Sequence, residues 1–169
     1  VGKEEHEGQA KKGQGPVPYA VIAVSDSRTT ATDESGPLVA HLLDEAGHAM
    51  LGRVLIRNDL AAIQAEVHRW VADGARLLVL AGGTGAGQRD ITVEAVRPLL
   101  EKELEGFGEL FRALSFQEIG ATAMLSRALL GLRQGRAIVC LPGSPGAIRL
   151  ALTKLLIPEL AHLLWAAGR

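Results

Sequence analysis

Along the chain, short runs of consecutive apolar residues alternate with segments whose apolar residues recur every three or four positions. Tyr19–Ser25 (YAVIAVS), Ala49–Ile56 (AMLGRVLI), Ala75–Gly83 (ARLLVLAGG) and Arg136–Gly143 (RAIVCLPG) are runs of the first kind and predict strands. The third is apolar at successive positions, as in a central strand covered on both faces. Over Gly36–Gly47, residues Leu38, Val39, Leu42, Leu43 and Ala46 share one helical face; Pro37 suits the first turn and Gly47 the carboxyl cap. Ile63, Val67, Trp70 and Val71 mark a second helix over Leu60–Gly74. Downstream, TVEAVRPLLEKEL, GFGELFRALSFQEIG and a shorter ATAMLSRALLG predict three more helices, and PGAIRLALTKLLIPELAHLLWAA a long closing helix disturbed at Pro158. Strands alternating with helices imply an α/β fold, a mostly parallel sheet with helices on both faces. Residues 1–18 hold little to bury and predict a flexible tail, leaving 19–169 as a single domain.

Composition narrows the function classes. The 169 residues carry a net charge of −1, so no global electrostatic attraction to nucleic acid or a membrane surface exists, and any basic site must be local. One cysteine, Cys140, rules out an intrachain disulfide and a cysteine-based zinc cage; its place in an apolar strand predicts a buried structural thiol. A cytoplasmic location fits this cysteine usage. No apolar run approaches the roughly 18–20 residues of a membrane span. His6, His41, His48, His68 and His162 show no metal-ligand spacing and read as surface or capping residues.

Ligands of open α/β sheets sit beyond the carboxyl ends of the strands. Three predicted strand exits are rich in small and polar residues: SDSR (Ser25–Arg28), GGTGAGQRD (Gly82–Asp90) and LPGSPG (Leu141–Gly146). The second is not a Walker loop, because Gln88 and Arg89 follow Gly87 where Lys and Ser or Thr belong. Nor is it a dinucleotide fingerprint, since Gln88 replaces the third glycine. Clustered glycines can still turn several backbone N–H groups toward one anion, with Thr84 adding a hydroxyl and a helix beginning near Thr92 its dipole. Arg89 could neutralise phosphate charge and Asp90 could hold a divalent ion. A tight turn followed by a helix cap satisfies the same residues. Likewise Ser144 before Pro145 is an ordinary helix cap, with a ligand contact through Gly143 and Ser144 as the alternative, and Asp59 alone reads as a cap.

Taken together, GGTG, the following RDITVEA, the block GFGELFRALSFQEIGATAMLSRA, SDSR and LPGSPGA resemble the MogA/MoaB proteins of molybdenum cofactor biosynthesis, over about Tyr19 to Leu164. The whole is more similar to MoaB than to MogA. The resemblance implies a three-layer α/β/α domain assembled as a homotrimer or homohexamer. It implies binding of molybdopterin and transfer of AMP from Mg-ATP to the pterin's terminal phosphate, with pyrophosphate released. By the same resemblance Gly82, Gly83, Thr84 and Gly85 form the phosphate- and nucleotide-binding loop. Asp90 and Asp59 are the catalytic acids, although Asp59 stands in RNDL where the family has a PDE-like sequence; Asp59 or Asp90 would hold Mg2+, directly or through water, to offset repulsion between the two anions. Ser126 and Arg127 lie near the pterin phosphate, and Ser25 and Asp26 at the first strand exit. Arg89 and Arg127 could stabilise charge on the transferred group. A protein that holds molybdopterin without transferring AMP is the alternative. Phe107 and Phe111 serve either a subunit interface or the core, and core packing is the expectation.

Overall fold

A computed structural model describes residues 15–169, and the expected tail over residues 1–14 lies outside them. The chain begins with strand β1 (Pro18–Val24), helix α1 (Ser35–Glu45), strand β2 (Ala49–Ile56), helix α2 (Leu60–Ala72) and strand β3 (Leu77–Ala81). A short helix α3 (Thr92–Val96), a 3-10 turn and strand β4 (Lys102–Glu103) follow. Then come helix α4 (Glu105–Ile119), a second 3-10 turn (Gly120–Leu125) and strands β5 (Leu129–Arg133) and β6 (Arg136–Leu141). The chain closes with helix α5 (Pro145–Leu150), π-helical turns (Ala151–Leu156) and helix α6 (Ile157–Ala167). The strands form one sheet in the order β2-β1-β3-β6-β5-β4; the first four are parallel, β5 is antiparallel to β6, and β4 is antiparallel to β5.

Alternation along the strands divides the core into two layers. Tyr19, Val21, Leu77, Val79, Val139 and Leu141 face α1, α4, α5 and α6, where Leu43, Phe111, Ile148 and Leu164 are buried. Ala20, Ile22, Leu78, Leu80, Ile138 and Cys140 face α2 and α3, meeting Ile63, Val67, Trp70 and Val96. The central strands are thus covered twice, which is why their sequences are continuously apolar. Phe107 and Phe111 are core residues, as expected. So is Cys140, whose thiol is pushed well up from its ordinary pKa by desolvation.

Four sequence expectations need correction. The tail predicted over residues 1–18 stops short of Val17, which is only 2% exposed, and Pro18 opens β1. TVEAVRPLLEKEL is not one helix: Pro98 has no N–H for the carbonyl of Glu94, and α3 stops at Val96 before β4. ATAMLSRALLG is a 3-10 turn leading into strand β5. Gln134 (φ 49°) and Gly135 (φ 72°) turn β5 back onto β6, a hairpin signal in RQGR that the apolar count alone overlooks. Finally, the helical run Pro145–Ala167 is long and apolar enough to cross a membrane by length and composition. Ile148, Leu152, Leu156, Leu160 and Leu164 are buried in the core, which accounts for its hydropathy. The disturbance expected at Pro158 takes the form of the preceding π-helical turns, with Pro158 in the first turn of α6.

Candidate functional site

The parallel strands place Asp59 (beyond β2), Ser25 and Asp26 (beyond β1), Gly82–Asp90 (beyond β3) and Gly143–Ser144 (beyond β6) along one edge of the sheet. Between the exits of β3 and β6 and helix α4 lies a cleft of about 360 Å³, which Ser25, Asp26 and Asp59 do not line. Gly83, Thr84, Gly85, Asp90, Ser126, Gly143 and Ser144 line it, while Phe111, Ile119, Leu125 and Ala147 supply an apolar wall. A second hollow of about 420 Å³ on the other side of the loop is bordered by Gly87, Gln88, Asp90, Glu94 and Arg127. Asp90 is common to both.

The glycines are needed for their backbone. Gly82 (φ 104°) and Gly83 (φ 66°) occupy conformations that other residues rarely adopt. A Cβ on Gly82 would collide with the carbonyl oxygen of Val24, and one on Gly83 with Thr92 Oγ1 and Asn58 Oδ1. In the loop so formed, the carbonyls of Gly82, Gly83, Thr84 and Gly85 all accept hydrogen bonds from within the protein. The donors are Thr92 Oγ1 (2.8 Å), Thr92 N (3.0 Å), Arg127 N (3.2 Å) and Arg127 Nε (2.9 Å) respectively. Among the described residues, nothing accepts from the N–H groups of Gly83, Thr84, Gly85 or Ala86. Thr84 is 2% exposed and lines the cleft, and among the described residues its hydroxyl has no partner. Gly83 to Gly85 line the cleft and Ala86 is exposed, so these donors are open to a ligand. The arrangement is a concave set of donors with the chemistry to hold an anion. The helix dipole expected to assist is small, because α3 has only 5 residues.

The charged groups sort into three kinds. Arg89 donates from Nε to Asp26 Oδ2 at 2.8 Å, across 63 residues of sequence. The Arg89 hydrogen bond holds the Asp26 carboxyl below its usual pKa, helped by the Asn58 N–H at 3.1 Å. Arg127 forms a two-pronged pair with Glu94, depressing the Glu94 pKa, and also donates to Asp90 O at 2.8 Å. Asp90 accepts from Gly87 N at 3.1 Å. Asp59 caps α2, accepting from Ala62 N at 2.7 Å, and does not line the cleft. Ser144 caps α5 with a longer contact of 3.4 Å, and Ser35 Oγ donates to Gly143 O at 2.7 Å. Ser25 Oγ accepts from Arg28 N at 3.0 Å, shaping the first exit loop.

Thr92, Glu94, Asn58 and Ser35 organise the site and escaped the sequence reading. An acidic residue in a first helical turn and a threonine at a helix start are ordinary local features, so neither announced its long-range partner. Among the described residues no cluster of three or more His, Cys, Asp or Glu could hold a metal ion.

The sequence pattern of a probable molybdopterin binding domain matches residues 20–162. The molybdenum cofactor biosynthesis protein B of Halalkalibacterium halodurans is 45% identical over 167 residues, covering 95% of this chain and 94% of that protein. The crystal structure of a molybdenum cofactor biosynthesis protein B superposes with a TM-score of 0.88 at 42% identity, covering 93% of this chain and 99% of that one. A MogA structure superposes with a TM-score of 0.81 at 28% identity, covering 89% and 99%.

Proposed function

Because the chain belongs to the family of probable molybdopterin binding domains, we propose that it acts in molybdenum cofactor biosynthesis by binding molybdopterin and transferring AMP to it from Mg-ATP. The observation that carries the proposal is the loop Gly82–Ala86: the carbonyls of Gly82 to Gly85 are anchored, while among the described residues nothing accepts from the N–H groups of Gly83 to Ala86 or from the Thr84 hydroxyl. A phosphate supplies the missing acceptors. The apolar wall of Phe111, Ile119 and Leu125 beside them suits a flat heterocycle.

In the reaction, an oxygen of the pterin's terminal phosphate attacks the α-phosphorus of ATP, a new P–O bond forms, and the bond to pyrophosphate breaks. No proton is taken from carbon, so the chain need only align two anions and manage their charge. The loop amides hold phosphate oxygens in place, Ser126, Gly143 and Ser144 border the same cleft, and Asp90 stands between the two hollows. Arg89, 77% exposed in its side chain and paired among the described residues with Asp26 alone, is free to swing toward a polyphosphate. The acidic residues fit Mg2+: they are hard oxygen donors, too few for a protein cage, and Mg2+ characteristically takes one or two carboxylates together with substrate phosphates. Asp90, which borders both hollows, would hold it, or Asp59 through the carboxylate oxygen not engaged in the α2 cap. When bound, the ion would offset repulsion between the two phosphate groups.

Leu110, Phe116, Ile119, Met124 and Leu125 are large apolar side chains left exposed on and after α4, which supports assembly as a homotrimer or homohexamer. The test of function is incubation with Mg-ATP and molybdopterin, scoring pyrophosphate and adenylyl-molybdopterin. Asp90→Asn should suppress turnover while pterin binding persists. Pterin binding with no product in the wild type would leave a holding protein instead.

A further inference from the structure

The orientation of the glycine loop is set by two residues outside it. Thr92 anchors the carbonyls of Gly82 (2.8 Å) and Gly83 (3.0 Å). Arg127 anchors those of Thr84, through its backbone N–H at 3.2 Å and more weakly through Nε at 3.4 Å, and Gly85, through Nε at 2.9 Å. In a trans peptide the C=O and N–H lie on opposite sides, so each anchored carbonyl turns the next residue's N–H away from the anchor. We infer that Arg127 is a positioning residue: its guanidinium, braced by Glu94, orients the Thr84–Gly85 and Gly85–Ala86 peptides so that their N–H groups face a phosphate, as Thr92 does for the two peptides before them.

The disposition of the donors distinguishes this role from direct contact with a ligand. A guanidinium has five N–H donors. Nε serves Gly85, one terminal nitrogen serves Asp90 O (2.8 Å) and Glu94 Oε2 (3.2 Å), and the other serves Glu94 Oε1. The adjacent carboxylate also offsets the charge that a substrate contact would use. The same fork holds the backbone of Asp90, tying the proposed acid to the loop it must work with. A lysine is no substitute, because its three donors radiate from one atom and cannot span two carbonyls and a carboxylate.

The choice of anion rests on the phosphate reading proposed above, whereas the loop geometry stands in the free protein; the two are tested separately. In ligand-free 15N-labelled protein, backbone relaxation at Gly83–Ala86 reports the geometry. Wild type should show rigid values of about 0.85 throughout. Arg127→Lys and Arg127→Met should lower Ala86 below about 0.6 and Gly85 by less, because the backbone N–H of residue 127 still holds Thr84 O, while Gly83 and Thr84 stay rigid. Unchanged values at all four residues in both variants overturn the inference, and so does loosening spread evenly over the loop. Glu94→Gln, the milder variant, should loosen the same two residues to a lesser degree.

In a second arm, inorganic pyrophosphate is titrated into each protein. The four wild-type amides should shift together and saturably, and both Arg127 variants should bind at least ten-fold more weakly, with Ala86 no longer shifting and Gly85 shifting less. Glu94→Gln separates positioning from direct contact. Weaker binding supports positioning, and tighter binding, as expected if Arg127 were released toward the anion, overturns it. Absence of any wild-type shift refutes the phosphate reading alone, because the ligand-free arm still decides the role of Arg127.

Discussion

Asp59 poses the sharpest test, because one carboxylate has two candidate roles that substitution can separate. Its Oδ1 accepts from Ala62 N at 2.7 Å, and its backbone (φ −132°, ψ 123°) has the extended form of a helix cap. Asp59→Ala removes the cap, at a cost of about 1 kcal/mol. For a chain of this size that lowers Tm by about 2–4 °C. Asp59→Asn keeps a side-chain oxygen in the capping position and loses only the charge beside the exposed helix start. The cost is then about 0.3–0.5 kcal/mol, or roughly 1–2 °C. If the carboxylate serves AMP transfer, both variants should fall in turnover by about 10²-fold, the loss typical of removing one electrostatic contact from a transition state. Thermal melts give the first comparison, and pyrophosphate release with Mg-ATP and molybdopterin gives the second. Asn with turnover within about three-fold of wild type would refute the reasoning, leaving Asp59 as a cap and Asp90 as the single acid at the site.

Gly82→Ala should destabilise by about 2–4 kcal/mol, read from urea unfolding, since φ 104° and the Val24 carbonyl both exclude a Cβ; a loss under 1 kcal/mol would refute the close approach. Cys140 should be inert to thiol reagents in the native state and react fully in denaturant, because it is completely buried and its pKa is raised by desolvation. Native labelling at a comparable rate would contradict that burial. His48 accepts from Val17 N at 3.3 Å and its pKa is lowered by desolvation. Its neutral form is favoured on folding, so its contribution is complete above the unfolded value of about 6.5 and is lost as pH falls through the lower folded value. The stability difference between pH 7.5 and pH 5, measured by urea unfolding, should therefore be smaller in His48→Gln than in wild type. An equal or larger difference would contradict the shift.

The strands that bury both faces were legible because two-sided burial demands unbroken apolar runs, as in Leu77–Ala81 and Arg136–Leu141. The antiparallel margin was not. ALLGLR is too short for periodicity to separate strand from helix, and its assignment depends on pairing with β6 through the Gln134–Gly135 turn. Capping was readable at Asp59 and Ser144 because the cap and its N–H partner are three residues apart. The contacts that shape the site reach much further. Arg89 meets Asp26 across 63 residues, and Arg127 meets Gly85 across 42.

By itself the sequence determined where glycine is required, which faces are apolar, and which acids, arginines and hydroxyls stand at the strand exits. These properties follow from local backbone preference and from the period of side chains along a helix or strand. Only the tertiary structure decided what those residues face. It turned Asp59 to the start of α2, joined Arg89 to Asp26, and brought Arg127 and Thr92 to the carbonyl side of the glycine loop. Side-chain chemistry is written residue by residue, whereas the direction of a peptide N–H depends on which distant donor holds the carbonyl of the same peptide.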